Sequence, residues 1–223
     1  MSNRMQEMMG TVKGYFMITE RLKIREFANN DLTELYNLLS DEEVMEFIEP
    51  PFSWEKTSNF LKSVALIDPP LIYAAEDFNQ KFVGYVIFHE YDKDSFELGW
   101  ILNKRDWGKG YANELTKAFI KLSSKIGKNL IIECDPNQET SKRIAMKNDF
   151  EFLGEIDGCS VFKRKLVNNI WKGGRVRTCK CCTCTNCIWC GFNKHYHSNI
   201  NWKICKETQY SKEKFNHIRR TYD

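Results

Sequence analysis

One hexapeptide constrains this chain more than any other segment: Arg105-Asp106-Trp107-Gly108-Lys109-Gly110, set between a strand-like run, Phe96 to Leu102, and a long helical pattern. A helix beginning there presents unpaired backbone N–H groups and the positive end of its macrodipole, and glycines let a pyrophosphate approach that backbone closely. Lys109 adds a mobile positive charge. The segment therefore reads as an anion site. It lacks the Gly-Lys-Ser/Thr ending of a nucleoside-triphosphate loop, and it does not follow a first parallel strand with three spaced glycines, so nucleotide triphosphatase and dehydrogenase readings are disfavoured. A plain tight turn before a helix would carry the same two glycines, and the order of the surrounding elements decides between the two.

That order follows from periodicity. Leu22, Ile24 and Glu26 alternate as a strand, and Asn30 or Asp31 caps a helix with Leu32, Leu35, Leu38 and Leu39 at helical spacing. Ser40 to Glu43 restart a short second helix, Pro50 and Pro51 end it, and Ser53 caps a third that carries Phe60, Leu61 and Val64. From Leu71 the period changes to two: strands Leu71 to Phe78, Phe82 to Tyr91 and Phe96 to Leu102 are joined by polar turns. A helix from about Gly108 to Ile126 buries Tyr111, Ala112, Leu115, Phe119, Leu122 and Ile126 on one stripe, and Gly127 stops it. Leu130 to Cys134 reads as a strand and Glu139 to Lys147 as a helix; Glu151 to Ile156 and Ser160 to Leu166 are strands around an Asp157-Gly158 turn. The expectation is an α+β, three-layer domain with a mixed, mainly antiparallel central sheet flanked by helices, plus an irregular Cys-rich C-terminal tail.

Charge and cysteine divide the chain into unlike parts. From Val167 onward there are 11 Lys/Arg and 3 Asp/Glu, a net of +8 against −5 for residues 1–166. Seven of the nine cysteines crowd between Cys179 and Cys205, and only Cys134 and Cys159 precede them. Three segments follow: an N-terminal extension, 1–16, with Met17 a candidate natural start; a domain, 17–166; and a basic Cys-rich tail, 167–223, disordered or metal-binding. Overlapping pairs such as Cys184/Cys187 and Cys187/Cys190, with Cys205, His195 and His197, suit zinc, although the spacing is not that of paired knuckles. Interleaved Trp171, Trp189, Tyr196 and Trp202 would suit stacking on nucleic acid, a partner that the whole chain makes unlikely. No run approaches the roughly 18 apolar residues of a membrane span, and scattered thiols in the larger part suit a reduced cytoplasm.

Arg105, Gly108 and Gly110 at a strand-to-helix junction resemble the Gln/Arg-x-x-Gly-x-Gly/Ala signature of the GNAT N-acetyltransferases. Thr19-Glu20-Arg21-Leu22, Glu97-Leu98-Gly99-Trp100 and Asn137 to Phe150 resemble its ribosomal-protein alanine acetyltransferase branch, so the likeness runs from Met17 to Leu166. It implies acetyl-CoA as co-substrate. The loop, Arg105, Trp107, Gly108, Lys109, Gly110, Tyr111 and Ala112, would hold the pyrophosphate, while Ile101, Leu102 and Asn103 pair with the pantetheine arm. The family's tyrosine acid is replaced by Ala145, and the glycine of its Lys-x-Gly-Phe ending by Asp149, a residue that tolerates left-handed geometry.

Acetyl transfer to an amine needs an unprotonated nitrogen, a polarised thioester and a proton source for the thiolate. Glu97 stands on the strand face opposite Phe96, Leu98 and Trp100 and is the preferred base, with Glu90 second; a solvated or salt-bridged glutamate would show the same pattern. His89 reads as a partly buried strand histidine. Ser141 or Thr140 would donate to the leaving sulfur and Asn137 would bind pantetheine, though Ser and Thr near a helix start also serve as caps. Glu43, Phe47, Glu49, Phe52 and Trp54 would form the pocket for a cationic acceptor, a peptide N-terminus, a polyamine or an aminoglycoside-like molecule, and the same residues also read as an ordinary amphipathic helix and its loop. No metal enters this chemistry, and the oligomeric state, a dimer included, stays open. Two rival readings also stay open: a non-catalytic acyl-CoA binder, and a metal or nucleic-acid binder acting through the tail.

Overall fold

The computed structural model describes residues 15–166. Eight strands form one sheet in the order β1-β2-β3-β4-β5-β6-β8-β7. They are β1 (Met17–Ile18), β2 (Leu22–Arg25), β3 (Ile72–Asp77), β4 (Phe82–Asp92), β5 (Ser95–Leu102), β6 (Asn129–Cys134), β7 (Glu151–Ile156) and β8 (Cys159–Arg164). Every neighbouring pair is antiparallel except β5 and β6. The helices are α1 (Leu32–Leu39), α2 (Glu42–Met45), α3 (Trp54–Phe60), α4 (Tyr111–Ile126) and α5 (Glu139–Lys147).

Strand alternation sends successive side chains to opposite faces, and each face has its own core. On one face Tyr73, Phe88, Phe96 and Leu98 pack against Leu115, Phe119 and Leu122 of α4 and Ala145 of α5. On the other, Ile72, Ala74, Tyr85 and Ile101 pack against Leu35, Leu38 and Leu39 of α1, Val44 and Met45 of α2, and the turn of π-helix after α3. This is the expected three-layer α+β arrangement.

Local chemistry sets the element ends. Asp41 accepts from the N–H groups of Glu43 and Val44 to start α2, and Ser53 accepts from Lys56 N–H to start α3. Asp31 does not cap α1 as expected: its carboxylate takes Ala28 N–H and both Arg25 Nη atoms, and a 3₁₀ turn over Asn29–Asp31 leads into the helix. The long helix begins at Tyr111 rather than Gly108, because Gly108 and Gly110 adopt left-handed φ of +74° and +82°. Asp149 takes the left-handed position, φ +62°, that ends α5. Residues outside the expected segments also contribute: β1 pairs with β2, and Phe16, before the boundary drawn at Met17, stacks on Tyr73 with ring centroids 4.2 Å apart.

Candidate active site

The parallel pairing of β5 with β6 stops early. Ser95, Phe96 and Glu97 face Asn129, Leu130 and Ile131, after which the two strands separate, and β6 keeps only β8 as partner through Ile132–Cys134. A gap therefore opens along Leu98–Leu102. Asn103 N–H bonds the Val83 carbonyl on β4, whereas the Leu102 carbonyl accepts from outside that ladder. Alternation along β5 then directs the backbone groups of Ile101 to β4 and those of Trp100 into the gap. A strand-like ligand arm would pair with Trp100, next to the expected Ile101–Asn103 segment and not itself assigned that role from sequence.

The expected anion loop lies at the end of this gap. No side chain caps the first turn of α4, and a Cβ on Gly108 would meet nothing within 4 Å. The amides at this 16-residue helix start are thus open to an anion. Lys109 Nζ lies 2.6 Å from Asp106 Oδ1, and Asp106 is itself buried. Arg21, not assigned a role from sequence, reaches the same loop: Nη1 donates to the Lys109 carbonyl at 2.8 Å, Nε pairs with Glu114 at 2.7 Å, and the guanidinium covers the Tyr111 ring at 4.6 Å. Its only sequence signal was the Thr19-Glu20-Arg21-Leu22 opening. Open amides, positive charge and an adjoining gap fit a long pyrophosphate-containing thioester.

Other expected coenzyme residues have structural partners. Arg105 Nη2 and Asn103 Nδ2 both donate to the Phe82 carbonyl at 3.1 Å, fastening the loop to β4. Trp107, half exposed, donates its indole N–H to the Leu102 carbonyl at 2.8 Å. Ala112 accepts from the Thr116 hydroxyl through its carbonyl.

A cavity of about 430 Å³ connects the gap with the α2–α3 side of the sheet. Glu97, Trp100, Ile101 and Ser141 line it, and so do Phe47, Glu49 and Phe52. Glu97 and Ser141, from distant segments, therefore share one space. Asn137 and Thr140 are exposed and do not line it. Glu43 pairs with Lys104, and Trp54 packs edge-on against Tyr36 at 5.1 Å, so neither belongs to the lining. Glu90 is exposed and lies on the other face of β4 from His89. Ala145 is fully buried in the core, so the helix position of the family's acid does not face this cavity, whereas Ser141, one turn earlier, does.

Charge at the inner wall is paired. His89 and Glu97 are direct partners across β4 and β5, with Nε2 and Oε2 3.2 Å apart. Nδ1 lies 3.0 Å from the Glu90 carbonyl. Burial alone would lower the His89 pKa, but the Glu97 carboxylate and the Glu90 carbonyl outweigh it and raise it above its ordinary value. Tyr91 donates to Glu133 at 2.6 Å, and burial with that carboxylate raises the phenol's pKa. Burial pushes the Cys134 thiol up to about 11.

Among the described residues no group of three or more His, Cys, Asp or Glu could hold a metal ion, and no helix is long and apolar enough to cross a membrane. The zinc and nucleic-acid readings concern the tail, outside the described residues.

Comparison with known proteins agrees with this geometry. Residues 21–151 match the family model described as an acetyltransferase (GNAT) domain. The uncharacterized N-acetyltransferase YnaD of Bacillus subtilis is 32% identical over 148 residues, 63% of this chain and 85% of that protein. A GNAT-family acetyltransferase from Bacillus anthracis superimposes with a TM-score of 0.61 at 26% identity, covering 67% of this chain and 97% of that one. The RimL ribosomal-protein α-N-acetyltransferase, solved with coenzyme A, gives 0.58 at 16% identity over 67% and 97%. Spermidine N-acetyltransferase from Vibrio cholerae, solved with CoA and spermine, gives 0.54 at 18% over 64% and 92%. The chain belongs to the GNAT acetyltransferase family and is an acyltransferase.

Proposed function

We propose that this protein transfers the acetyl group of acetyl-CoA to a primary amine by direct attack, with Glu97 as base. The observation that carries the reading is the meeting of Glu97 and Ser141 in one cavity that opens into the β5–β6 gap below the start of α4. When bound, the coenzyme supplies an activated acetyl thioester. The open amides of α4, with Lys109 and Arg21, hold its pyrophosphate, and the free backbone edge at Trp100 orients its arm. Glu97 takes the proton from the amine nitrogen as the C–N bond forms and the C–S bond breaks. Ser141 donates a hydrogen bond to the departing sulfur, which takes a proton from water while the Glu97 carboxyl gives the amine proton up to that water, so that no net charge is left in the site. A route through an acetylated cysteine is disfavoured, because a thiol held near 11 is a poor nucleophile at neutral pH.

Glu49 and Glu97 stand with Phe47, Phe52 and Trp100 along the cavity, a lining that suits a cationic amine. RimL and spermidine acetyltransferase are named for a protein N-terminus and a polyamine, and both kinds of acceptor are compatible with this wall. A cytoplasmic setting fits Cys134 and Cys159, which form no disulfide among the described residues. Thiol release from acetyl-CoA, measured with a panel of peptides, polyamines and aminoglycosides, tests the proposal. Acetylation of at least one amine supports it, and tight coenzyme binding without turnover on any amine class counts against it.

A further inference from the structure

We propose that His89 is a positioning residue for acetyl transfer, fixing the Glu97 carboxylate by an ion pair across the β4–β5 ladder. The inference rests on Glu97 acting as the base. His89 and Glu97 occupy facing positions of an antiparallel pair, so their side chains project from the same face, and both are about nine-tenths buried. His89 does not line the cavity, whereas Glu97 does. The imidazole therefore touches no reacting atom, and its effect passes through the carboxylate.

Each ring nitrogen has an oxygen neighbour, of which only the one at Nδ1 has hydrogen-bond geometry, the contact at Nε2 being that of an ion pair. Nδ1 is 3.0 Å from the Glu90 carbonyl and must carry a hydrogen there, while Nε2 is 3.2 Å from Glu97 Oε2. A ring with one proton would leave a bare nitrogen 3.2 Å from a carboxylate oxygen, so the approach favours the imidazolium on charge. Its charged surroundings are Glu97 on β5, Glu133 on β6, with the Tyr91 hydroxyl bound to it, and the Glu90 carbonyl on its own strand. Oε2 is thereby fixed, and Oε1 is left to receive the amine proton. Loss of the imidazolium proton would release the carboxylate from this orientation.

The role predicts an alkaline limb in kcat/KM above the ordinary histidine value of about 6.5. His89→Gln keeps an N–H donor but cannot titrate. It should retain activity within about fivefold and lose that limb, while His89→Ala should lower kcat at least about tenfold and leave the KM for acetyl-CoA unchanged. A His89→Gln pH profile that coincides with that of the parent enzyme would overturn the proposal.

A turnover-independent readout separates this failure from failure of the acetyltransferase reading. In the full chain, the imidazole NMR titration that His89→Gln removes should have its midpoint above about 6.5, and Glu97→Gln should lower it. A midpoint indifferent to Glu97→Gln rejects the positioning role whatever the activity. A Glu97-dependent midpoint in a protein that acetylates no amine upholds the ion pair and rejects the catalytic reading, and with it the role of the pair in transfer.

Discussion

The indole N–H of Trp107 donates to the Leu102 carbonyl at 2.8 Å, tying the anion loop to the end of the strand that borders the coenzyme gap. The proposed phosphate and arm sites are thereby held at a fixed spacing, which is the condition for a single long ligand to occupy both without reordering the loop.

Trp107→Phe keeps a ring but deletes this bond. One intramolecular hydrogen bond is worth about 1 kcal/mol, so the melting temperature should fall by roughly 2 to 4 °C, and acetyl-CoA affinity should fall up to about fivefold as the loop loses its tie. Calorimetric titration of the full chain with acetyl-CoA measures it.

Gly84 on β4 lies against the backbone of Ile101 and Leu102 on β5 with no room for a side chain. A Cβ there would sit 2.1 Å from the Ile101 carbonyl oxygen, and its φ of +151° also disfavours a side chain. Gly84→Ala must push the two strands apart beside the cavity. A loss of about 3 kcal/mol or more in denaturant unfolding is expected, with weaker acetyl-CoA binding in whatever remains folded.

Arg25 joins β2 to two buried carboxylates, Asp31 at 2.7 Å and Glu76 at 2.7 Å. Burial raises the Asp31 pKa, but bonds from Arg25 and Ala28 N–H outweigh it and hold the carboxyl below its ordinary value. A depressed folded pKa contributes stability above the unfolded value, near 3.8, and loses it as pH falls through the folded one. Asp31→Asn should cost about 2 to 3 kcal/mol at pH 7, and the gap from the parent should narrow in melts at about pH 3.

Much of this was readable in the sequence because it is local. The 3.6 period of α4 and the alternation of β3–β5 mark core faces directly, Gly127 ends α4 at φ +76°, and Asp149 takes the left-handed slot that its side chain permits. Glu97 and Ser141 carried signals in strand parity and helix position, and the fold brings them to one cavity. Non-local pairings were not readable. Strand β8 lies between β6 and β7, and β1 is too short for alternation to reveal. Asp31 looked like a cap because Asp often is one; its partner Arg25 lies on the preceding strand, and only packing chooses between the two roles. His89 looked like an ordinary strand histidine until register set it opposite Glu97, and Arg21 reaches the anion loop from 88 residues earlier in the chain.

The most direct test of the central claim compares the full chain with its Glu97→Gln variant, measuring acetyl-CoA affinity by calorimetry and thiol release with an accepted amine. The account predicts coenzyme affinity equal within about twofold and kcat lowered by about 100-fold or more, the contribution expected of a general base. A Glu97→Gln enzyme that turns over at the parent rate, or a parent protein that does not bind acetyl-CoA, would contradict it.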